Sequence, residues 1–241
     1  MNQREAVIRI LEENKGIATL GHIYQNIFKI TDCKWQTKTP DATIRRIVQD
    51  QKYFFKIRPG LWALNSFKNQ IPDELIGKND THDTKTEEYN HSYYQGLLVE
   101  LGNMKNYSTF IPNQDKNKLY VSNKLGEIAT FKTIPQFCYD QILIKAKTVD
   151  VIWFNDRNMP DSFFEVEHST NIEHSLLKFI ELQDFNSKFF IVADGSKERL
   201  YNKIIESYTF KLIKTRLNFY KYQRLASYHE LTSKLLYIEN N

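Results

Sequence analysis

Two apolar segments that carry three acidic residues constrain this chain most strongly. Residues 149–154 read Val-Asp-Val-Ile-Trp-Phe, and after a polar turn residues 163–170 read Phe-Phe-Glu-Val-Glu-His-Ser-Thr. The β-branched and aromatic residues predict two strands of a hairpin, with Asp150 on the first strand and Glu165 and Glu167 on the second. Side chains two residues apart on a strand share a face, so both glutamates can converge on Asp150.

This carboxylate cluster points to a hard divalent cation. Three carboxylates at the edge of a small sheet repel one another unless a positive charge lies among them. Oxygen ligands of this kind suit Mg²⁺, with Mn²⁺ as a substitute. Two carboxylates and a main-chain carbonyl can hold the ion and still leave positions for water and a phosphate oxygen. We therefore expect metal-assisted hydrolysis of a phosphodiester bond.

The composition is that of a folded protein without a membrane segment. The 241 residues suffice for one large or two small domains, and a hydrophobic content of 41% excludes general disorder. No apolar run is long enough to span a membrane, and the first residues lack the apolar stretch of a signal peptide. Cys33 and Cys138 lack metal-ligand spacing, so we expect reduced thiols and a cytoplasmic protein without a membrane partner.

The net charge of +4 is unevenly distributed along the chain. Residues 1–68 have a net charge of +6, residues 69–196 of −7 and residues 197–241 of +5. Basic ends on either side of an acidic middle suit a protein that binds a polyanion and presents carboxylates to it through a metal ion. An ordinary solvated surface explains the same pattern, so charge alone does not decide the function.

The first 66 residues predict three helices followed by a β-hairpin. Apolar spacing and turn residues place helices at about 3–14, 20–28 and 40–51 and strands at 53–57 and 61–64. Thr39 suits the N-cap of the third helix, and Pro40 suits its first position. This order of elements is typical of a winged helix-turn-helix.

This segment resembles the HARE-type winged helix, a module of chromatin factors, RNA polymerase subunits and some restriction endonucleases. The resemblance rests on residues 42–46 (Ala-Thr-Ile-Arg-Arg), the aromatic strand and residues 58–64 (Arg-Pro-Gly-Leu-Trp-Ala-Leu), and it covers residues 3–66. It implies DNA contact by the third helix and the wing, through Lys38, Thr43, Arg45, Arg46, Lys56 and Arg58. The alternative is a helix-turn-helix used for protein contacts, with ordinary solvated arginines.

The rest of the chain predicts an α/β core behind a linker. Residues 67–90 are polar and lack apolar periodicity, which is typical of a linker. Helices are expected at about 91–106, 134–144, 172–185, from 196 onward and 224–237, and strands at about 118–121, 129–132, 149–154, 163–168 and 188–193. This order favours a mixed sheet flanked by helices. The C-terminal segment then packs on the core or forms a dimer contact.

The carboxylates and the order of elements resemble the PD-(D/E)xK nuclease superfamily, which includes most type II restriction endonucleases. Asp150 matches the first acidic residue of that motif and Glu165 the second, whereas Glu167 stands where a lysine is usual. A Glu-x-Glu variant occurs among restriction enzymes of this superfamily. The longer string, continued by Leu-Leu-Lys at 176–178, is similar to a group of restriction-endonuclease-like proteins over residues 91–207.

The resemblance implies a role for each acidic residue. Asp150 and Glu165 would bind the metal ion together with the main-chain carbonyl of Val166. Glu167 would orient or deprotonate the attacking water, or help to bind a second metal ion. The alternative for Glu167 is a surface glutamate at the end of a strand. Asp150 and Glu165 lie within strongly apolar strands, which argues against plain solvation.

Five further residues are candidates for supporting roles. Glu100 lies on a helix that often supplies an acidic metal ligand in this superfamily, although a surface glutamate is an equal alternative. Lys178 either replaces the missing motif lysine at the scissile phosphate or is a solvated helix lysine. His168 is expected to support the site by hydrogen bonding rather than to bind the metal. Ser169 and Thr170 suit the cap of the following helix and are within reach of a DNA backbone.

The sequence thus predicts an α+β or α/β protein with three parts. A winged helix-turn-helix occupies residues 1–66, a linker residues 67–90, and a restriction-endonuclease-like core with a mixed central sheet residues 91–241. The expected function is Mg²⁺-dependent, site-specific cleavage of double-stranded DNA by a homodimer, since cutting both strands needs two active sites. The alternatives are a DNA-binding regulator with a degenerate nuclease-like dimerisation domain, and a nuclease that acts on modified DNA or belongs to another defence system.

Overall fold

The computed structural model describes residues 1–35, 37–76, 84–168 and 171–239. The chain divides into two compact units, one formed by residues 1–86 with 226–241 and the other by residues 87–225. The boundaries fall within two helices, α5 (Thr84–Met104) and α10 (Tyr222–Glu239). Each unit has its own hydrophobic core.

The first unit combines helices with a small antiparallel sheet. Its described elements are α1 (Gln3–Glu13), β1 (Ile17–Thr19), α2 (Leu20–Asn26), α3 (Pro40–Val48), β2 (Phe54–Arg58), β3 (Leu61–Leu64), α4 (Asp73–Ile76) and the C-terminal part of α10. Strand β3 lies between β1 and β2 and is antiparallel to both. The three predicted helices and the hairpin are therefore present, with small shifts at their ends.

Local sequence explains how this unit begins. The side chain of Asn2 accepts a hydrogen bond from the N–H of Glu5, whose carboxylate accepts one from the N–H of Asn2. This reciprocal pair caps the N-terminus of α1. The buried face of α1 consists of Ala6, Val7, Ile10 and Leu11. Thr39 is the N-cap of α3 as predicted, although its side chain makes no capping hydrogen bond.

The second unit is an α/β arrangement. Its described elements are most of α5, then β4 (Ser108–Phe110), β5 (Leu119–Tyr120), β6 (Asn123–Lys124), α6 (Leu125–Ile128), α7 (Asp140–Ala146), β7 (Val151–Phe154), β8 (Pro160–Glu167), α8 (Ile172–Ile180), β9 (Lys188–Ala193), α9 (Glu198–Ile205) and β10 (Leu217–Lys221). Five of these strands form one sheet in the order β10-β9-β8-β7-β4. A separate two-stranded ladder joins β5 and β6.

The five-stranded sheet is mixed, which confirms the predicted central sheet. Strands β10, β9 and β8 are parallel, whereas β7 is antiparallel to both β8 and β4. The central strands carry long apolar runs because they are buried on both faces. Helix α8 packs on the same core through the fully buried side chains of Ile172, Leu176 and Phe179.

Several predicted boundaries were wrong. Helix α5 begins at Thr84 rather than at residue 91, so its first turns and the short helix α4 fall within the expected linker. Residues 129–132 do not form a strand. Strands β1 and β10 were not predicted. Both are short, and each is completed by pairing with a strand distant in sequence, so local patterning gives little signal for them.

Candidate active site and cation site

The hairpin of β7 and β8 brings Asp150 and Glu165 together. Val151 pairs with Phe164 in the antiparallel ladder, so Asp150, immediately before β7, and Glu165 are the next residues along the hairpin. Directly opposed residues in such a ladder have Cβ atoms about 5 Å apart. Both carboxylates are buried, with Asp150 at 8% and Glu165 at 2% of their full exposure. Two buried carboxylates in this position require nearby positive charge or hydrogen-bond donors.

Asp150 is held from two sides. One carboxylate oxygen accepts a hydrogen bond of 2.8 Å from the backbone N–H of Val166, and the other lies 3.2 Å from Nε2 of His91. Burial by itself would raise the pKa of Asp150, but His91, the Val166 N–H and Lys178 together hold it below the ordinary value. Burial likewise opposes the protonation of His91, yet the charge of Asp150 raises the pKa of that imidazole.

Glu165 is paired with Lys178 from the following helix. The ammonium Nζ of Lys178 lies 2.8 Å from Oε2 of Glu165 and 3.4 Å from the carbonyl oxygen of Thr148. The other carboxylate oxygen of Glu165 is buried and has no hydrogen-bond partner in the described parts of the chain. Burial and the charge of Asp150 raise the pKa of Glu165 well above its usual range, against the opposing effect of Lys178.

Glu167 lies at the half-buried end of β8 with different partners. Its carboxylate accepts a hydrogen bond from the hydroxyl of Ser175 in α8. Its carbonyl oxygen accepts a hydrogen bond of 2.9 Å from the hydroxyl of Tyr222, which also contacts the ring of His168. His168 is thus connected through the Tyr222 hydroxyl to the main chain of Glu167. Tyr222 in turn stacks on Tyr94, with ring centroids 3.8 Å apart.

The remaining predicted site residues are Glu100, Ser169, Thr170 and the main-chain carbonyl of Val166. Glu100 accepts a hydrogen bond of 2.7 Å from the hydroxyl of Tyr120, and among the described residues it belongs to no group of three possible metal ligands. Ser169 and Thr170 lie outside the described residues. The N–H of Val166 donates a hydrogen bond to Asp150. In extended backbone the N–H and C=O groups of a residue point to the same side, so the carbonyl of Val166 also points toward the strand on the Asp150 side.

Three residues outside the predicted set, His91, Gln95 and Asp115, also lie near Asp150. His91 and Gln95 are one turn apart on α5 and contact the carboxylate and the main-chain carbonyl of Asp150, respectively. Asp115, in the loop after β4, accepts a hydrogen bond from Gln95. His91, Asp115 and Asp150 offer ligand atoms within 4.8 Å of one another. The four-residue spacing of His91 and Gln95 on a helix was the available signal, whereas Asp115 lies in a loop without any motif.

The donor set fits a divalent cation. Asp150 and Glu165 supply adjacent buried carboxylates, and the buried Oε1 of Glu165 is an acceptor that lacks a donor. A cation would satisfy that oxygen and reduce the repulsion between the two carboxylates. Lys178 provides only part of the compensating charge, since its single hydrogen bond to Glu165 uses the other oxygen.

The predicted DNA-contacting residues of the first unit occupy distinct environments. Lys38, Arg46 and Lys56 are exposed, and Thr43 is half-buried. Arg45 is half-exposed and pairs with Glu230 of α10, with Nε 2.8 Å from a carboxylate oxygen. Arg58 is buried and donates a hydrogen bond of 2.6 Å to the carbonyl oxygen of Leu75. A DNA phosphate therefore has little access to Arg58.

Comparison with known proteins places this arrangement in a class. Residues 70–238 match the family described as the type II restriction enzyme NmeDI C-terminal domain, and the chain belongs to that family. A stretch of 126 residues is 26% identical to the type II restriction enzyme NmeDI of Neisseria meningitidis serogroup C, covering 47% of this chain and 35% of that enzyme. The match thus spans about a third of the length of that curated relative. No solved structure matches the chain.

The helices also bear on the membrane prediction. Throughout the described residues, no helix is both long enough and apolar enough to cross a membrane.

Proposed function

We propose that this chain is a Mg²⁺-dependent endonuclease of the type II restriction class that hydrolyses phosphodiester bonds of double-stranded DNA. The observation that carries this proposal is the group formed by Asp150, Glu165 and Lys178, two adjacent buried carboxylates with an ammonium group 2.8 Å from one of them. These are the residue types of the PD-(D/E)xK motif, with the lysine supplied by a helix instead of the strand. Membership of a restriction-enzyme family supports the same conclusion.

Asp150, Glu165 and the carbonyl oxygen of Val166 would hold the cation. When bound, Mg²⁺ would act as a Lewis acid on the phosphate and lower the pKa of a coordinated water. Because β7 and β8 belong to the buried sheet, the two carboxylates are held by rigid elements before any ion binds. The hydrogen bond from the Val166 N–H fixes the orientation of the Asp150 carboxylate.

Lys178 and Glu167 have separate roles in this scheme. The ammonium group of Lys178 would donate a hydrogen bond to a non-bridging phosphate oxygen and offset the charge that develops there. Glu167, oriented by the Ser175 hydroxyl, would accept the proton of the attacking water as the new P–O bond forms and the bond to the leaving oxygen breaks. The motif position that usually holds a lysine is occupied by Glu167, which favoured a degenerate nuclease. In this proposal Lys178 of α8 supplies the missing ammonium group.

The first unit would bind DNA as a winged helix of the HARE type. Its three helices and its β2–β3 hairpin have the order that this module requires. Arg46 and Thr43 of α3 line an open groove together with Arg4 of α1, and Lys38 and Lys56 are exposed. Arg45 would contribute less directly, because Glu230 already engages its guanidinium group.

Cutting both strands of a duplex would require two copies of the chain. A dimer with two-fold symmetry places one active site on each strand. Light scattering on the purified chain, alone and with duplex DNA, tests this part of the proposal. A dimer on DNA is expected, and a monomer at cleaving concentrations would contradict it.

The function itself is tested by incubating the full chain with plasmid or phage DNA and Mg²⁺ and sequencing the fragment ends. Site-specific restriction predicts discrete ends at one sequence motif, and the same DNA without a divalent cation should stay intact. Random ends would contradict site-specific cleavage. DNA that stays intact under all conditions would favour the alternative, a DNA-binding regulator with a degenerate nuclease-like domain. Parallel reactions with methylated and unmodified DNA distinguish a nuclease directed at modified DNA.

A further inference from the structure

A second group of possible cation ligands includes Asp150 but neither Glu165 nor Lys178. His91 Nε2, a carboxylate oxygen of Asp115 and one of Asp150 lie within 4.8 Å of one another. Nε2 of His91 is 3.2 Å from Oδ1 of Asp150, whereas the Val166 N–H occupies Oδ2. The two oxygens of Asp150 thus belong to different surroundings, one formed by the hairpin and one by α5 and the loop after β4.

Three buried carboxylates and three basic groups meet around this site. Asp115, at 2% exposure, lies close to Asp150, and Glu165 is the third buried carboxylate. Lys118 pairs with Asp115 at 2.8 Å, and Lys178 pairs with Glu165 at the same distance. The basic group nearest Asp150 is His91, with Nε2 at 3.2 Å. If this imidazole binds a cation through Nε2, the charge of Asp150 is balanced by that cation instead.

An independent observation comes from Gln95, which is fully buried beside the same group. Its amide Nε2 donates hydrogen bonds to Oδ2 of Asp115 and to the carbonyl oxygen of Asp150. Reversing the amide would place its oxygen against the Asp115 carboxylate, so this orientation is the favourable one. Oε1 of Gln95, bonded to the same carbon, has no hydrogen-bond partner in the described chain. A buried acceptor of this kind is unfavourable unless a cation or its coordinated water satisfies it.

We propose that His91, Asp115 and Asp150 form a second cation site, which selects Mn²⁺ or a related transition-metal ion over Mg²⁺. One imidazole and two carboxylates suit transition-metal ions, whereas Mg²⁺ prefers oxygen ligands alone. Gln95 orients Asp115 and offers its unpartnered oxygen to the ion or to a coordinated water. The inference deepens the proposed function, on which it rests, because both cation positions share Asp150.

The test measures cation binding to the full chain without DNA. Mn²⁺ titration followed by electron paramagnetic resonance counts the bound ions, and electron spin echo modulation detects a coordinated nitrogen nucleus. The wild-type chain should bind two Mn²⁺ ions, one of them with nitrogen coordination that excess Mg²⁺ does not remove. His91→Gln and Asp115→Asn should each lower the affinity for that ion at least about tenfold. His91→Gln should also remove the nitrogen signal. Glu165→Gln should lower the affinity only for the other ion, which is bound at Asp150, Glu165 and the Val166 carbonyl.

The exposed His174 provides the matched control, since His174→Gln should leave both ions and the nitrogen signal unchanged. Circular dichroism checks that each variant is folded. The nitrogen signal of the wild-type chain tests the second site even if a variant fails to fold. One bound Mn²⁺ without nitrogen coordination, unaffected by His91→Gln, would overturn the second site while leaving the nuclease proposal intact. A wild-type chain that binds no divalent cation would overturn both.

Discussion

The ammonium group of Lys178 lies 2.8 Å from a carboxylate oxygen of Glu165, which connects helix α8 to the end of strand β8. The two residues are thirteen positions apart, and only the packing of α8 on the sheet brings them together. The PD-(D/E)xK motif, which this hairpin resembles, usually has a lysine two residues beyond the second acid, where this chain has Glu167. Helix α8 instead places the ammonium group of Lys178 beside the carboxylates.

Replacing Lys178 is expected to reduce catalysis without removing DNA binding. Lys178→Met removes the ammonium group that we propose binds the scissile phosphate, so the cleavage rate at saturating Mg²⁺ should fall by about 10²–10³-fold. Single-turnover cleavage of a labelled duplex measures this effect. Lys188→Met, which changes an exposed lysine at the start of β9, serves as the control and should cleave normally. Normal cleavage by Lys178→Met would assign the lysine a purely structural role.

Tyr222 is expected to stabilise the end of β8. Its buried hydroxyl donates to the carbonyl oxygen of Glu167 and contacts His168, and Tyr222→Phe leaves these groups without that partner. The free energy of unfolding should fall by about 1–2 kcal/mol, as measured by urea denaturation. Tyr208→Phe at an exposed position should change it by less than about 0.5 kcal/mol. Equal unfolding midpoints for both variants would refute the role of Tyr222.

Neighbouring arginines of α3 should behave differently. Arg46 is exposed beside the groove, so Arg46→Ala should weaken duplex binding and reduce the salt dependence by about one phosphate contact. Arg45 pairs with Glu230, so Arg45→Ala should chiefly lower stability, by about 1 kcal/mol. Fluorescence anisotropy at several salt concentrations and thermal unfolding separate the two effects. A larger loss of affinity in Arg45→Ala than in Arg46→Ala would reverse the assignment.

The pair of Asp41 and Lys234 makes a small, pH-dependent contribution to the first unit. The hydrogen bond from Lys234 lowers the pKa of Asp41, so this stabilisation is present above the unfolded value of about 3.9 and is lost as the pH falls through the lower folded value. Asp41→Asn should therefore lower stability by less than about 1 kcal/mol at pH 7 and have no effect at the acid end. Unfolding curves at several pH values test this, with Asp184→Asn as an exposed control.

The sequence was informative where elements are locally specified. The apolar spacing of Ala6, Val7, Ile10 and Leu11 predicts α1, and the aromatic and β-branched residues of β7 and β8 predict the hairpin. In these segments the buried face and the local preference agree, so the pattern determines the element. The juxtaposition of Asp150 and Glu165 follows directly from the hairpin.

Features that depend on distant pairing were not predictable in this way. β10 is a parallel partner of β9 reached through a long connection, and its half-buried residues show no simple alternation. His91 and Asp115 reach Asp150 only through the packing of α5 and of the loop after β4. Arg58 was expected at the surface of the wing, yet a shift in the β2–β3 register near this residue accompanies its burial.

The most direct measurement is the cleavage of duplex DNA by the wild-type chain and by Asp150→Ala and Glu165→Ala in Mg²⁺, with DNA binding measured in parallel. The wild-type chain should cut, and both variants should lose at least about 10³-fold in rate while binding DNA within a fewfold of wild type. The exposed Glu173→Ala should cut normally. Cleavage that survives in both Asp150→Ala and Glu165→Ala would contradict the assignment of the active site to this hairpin.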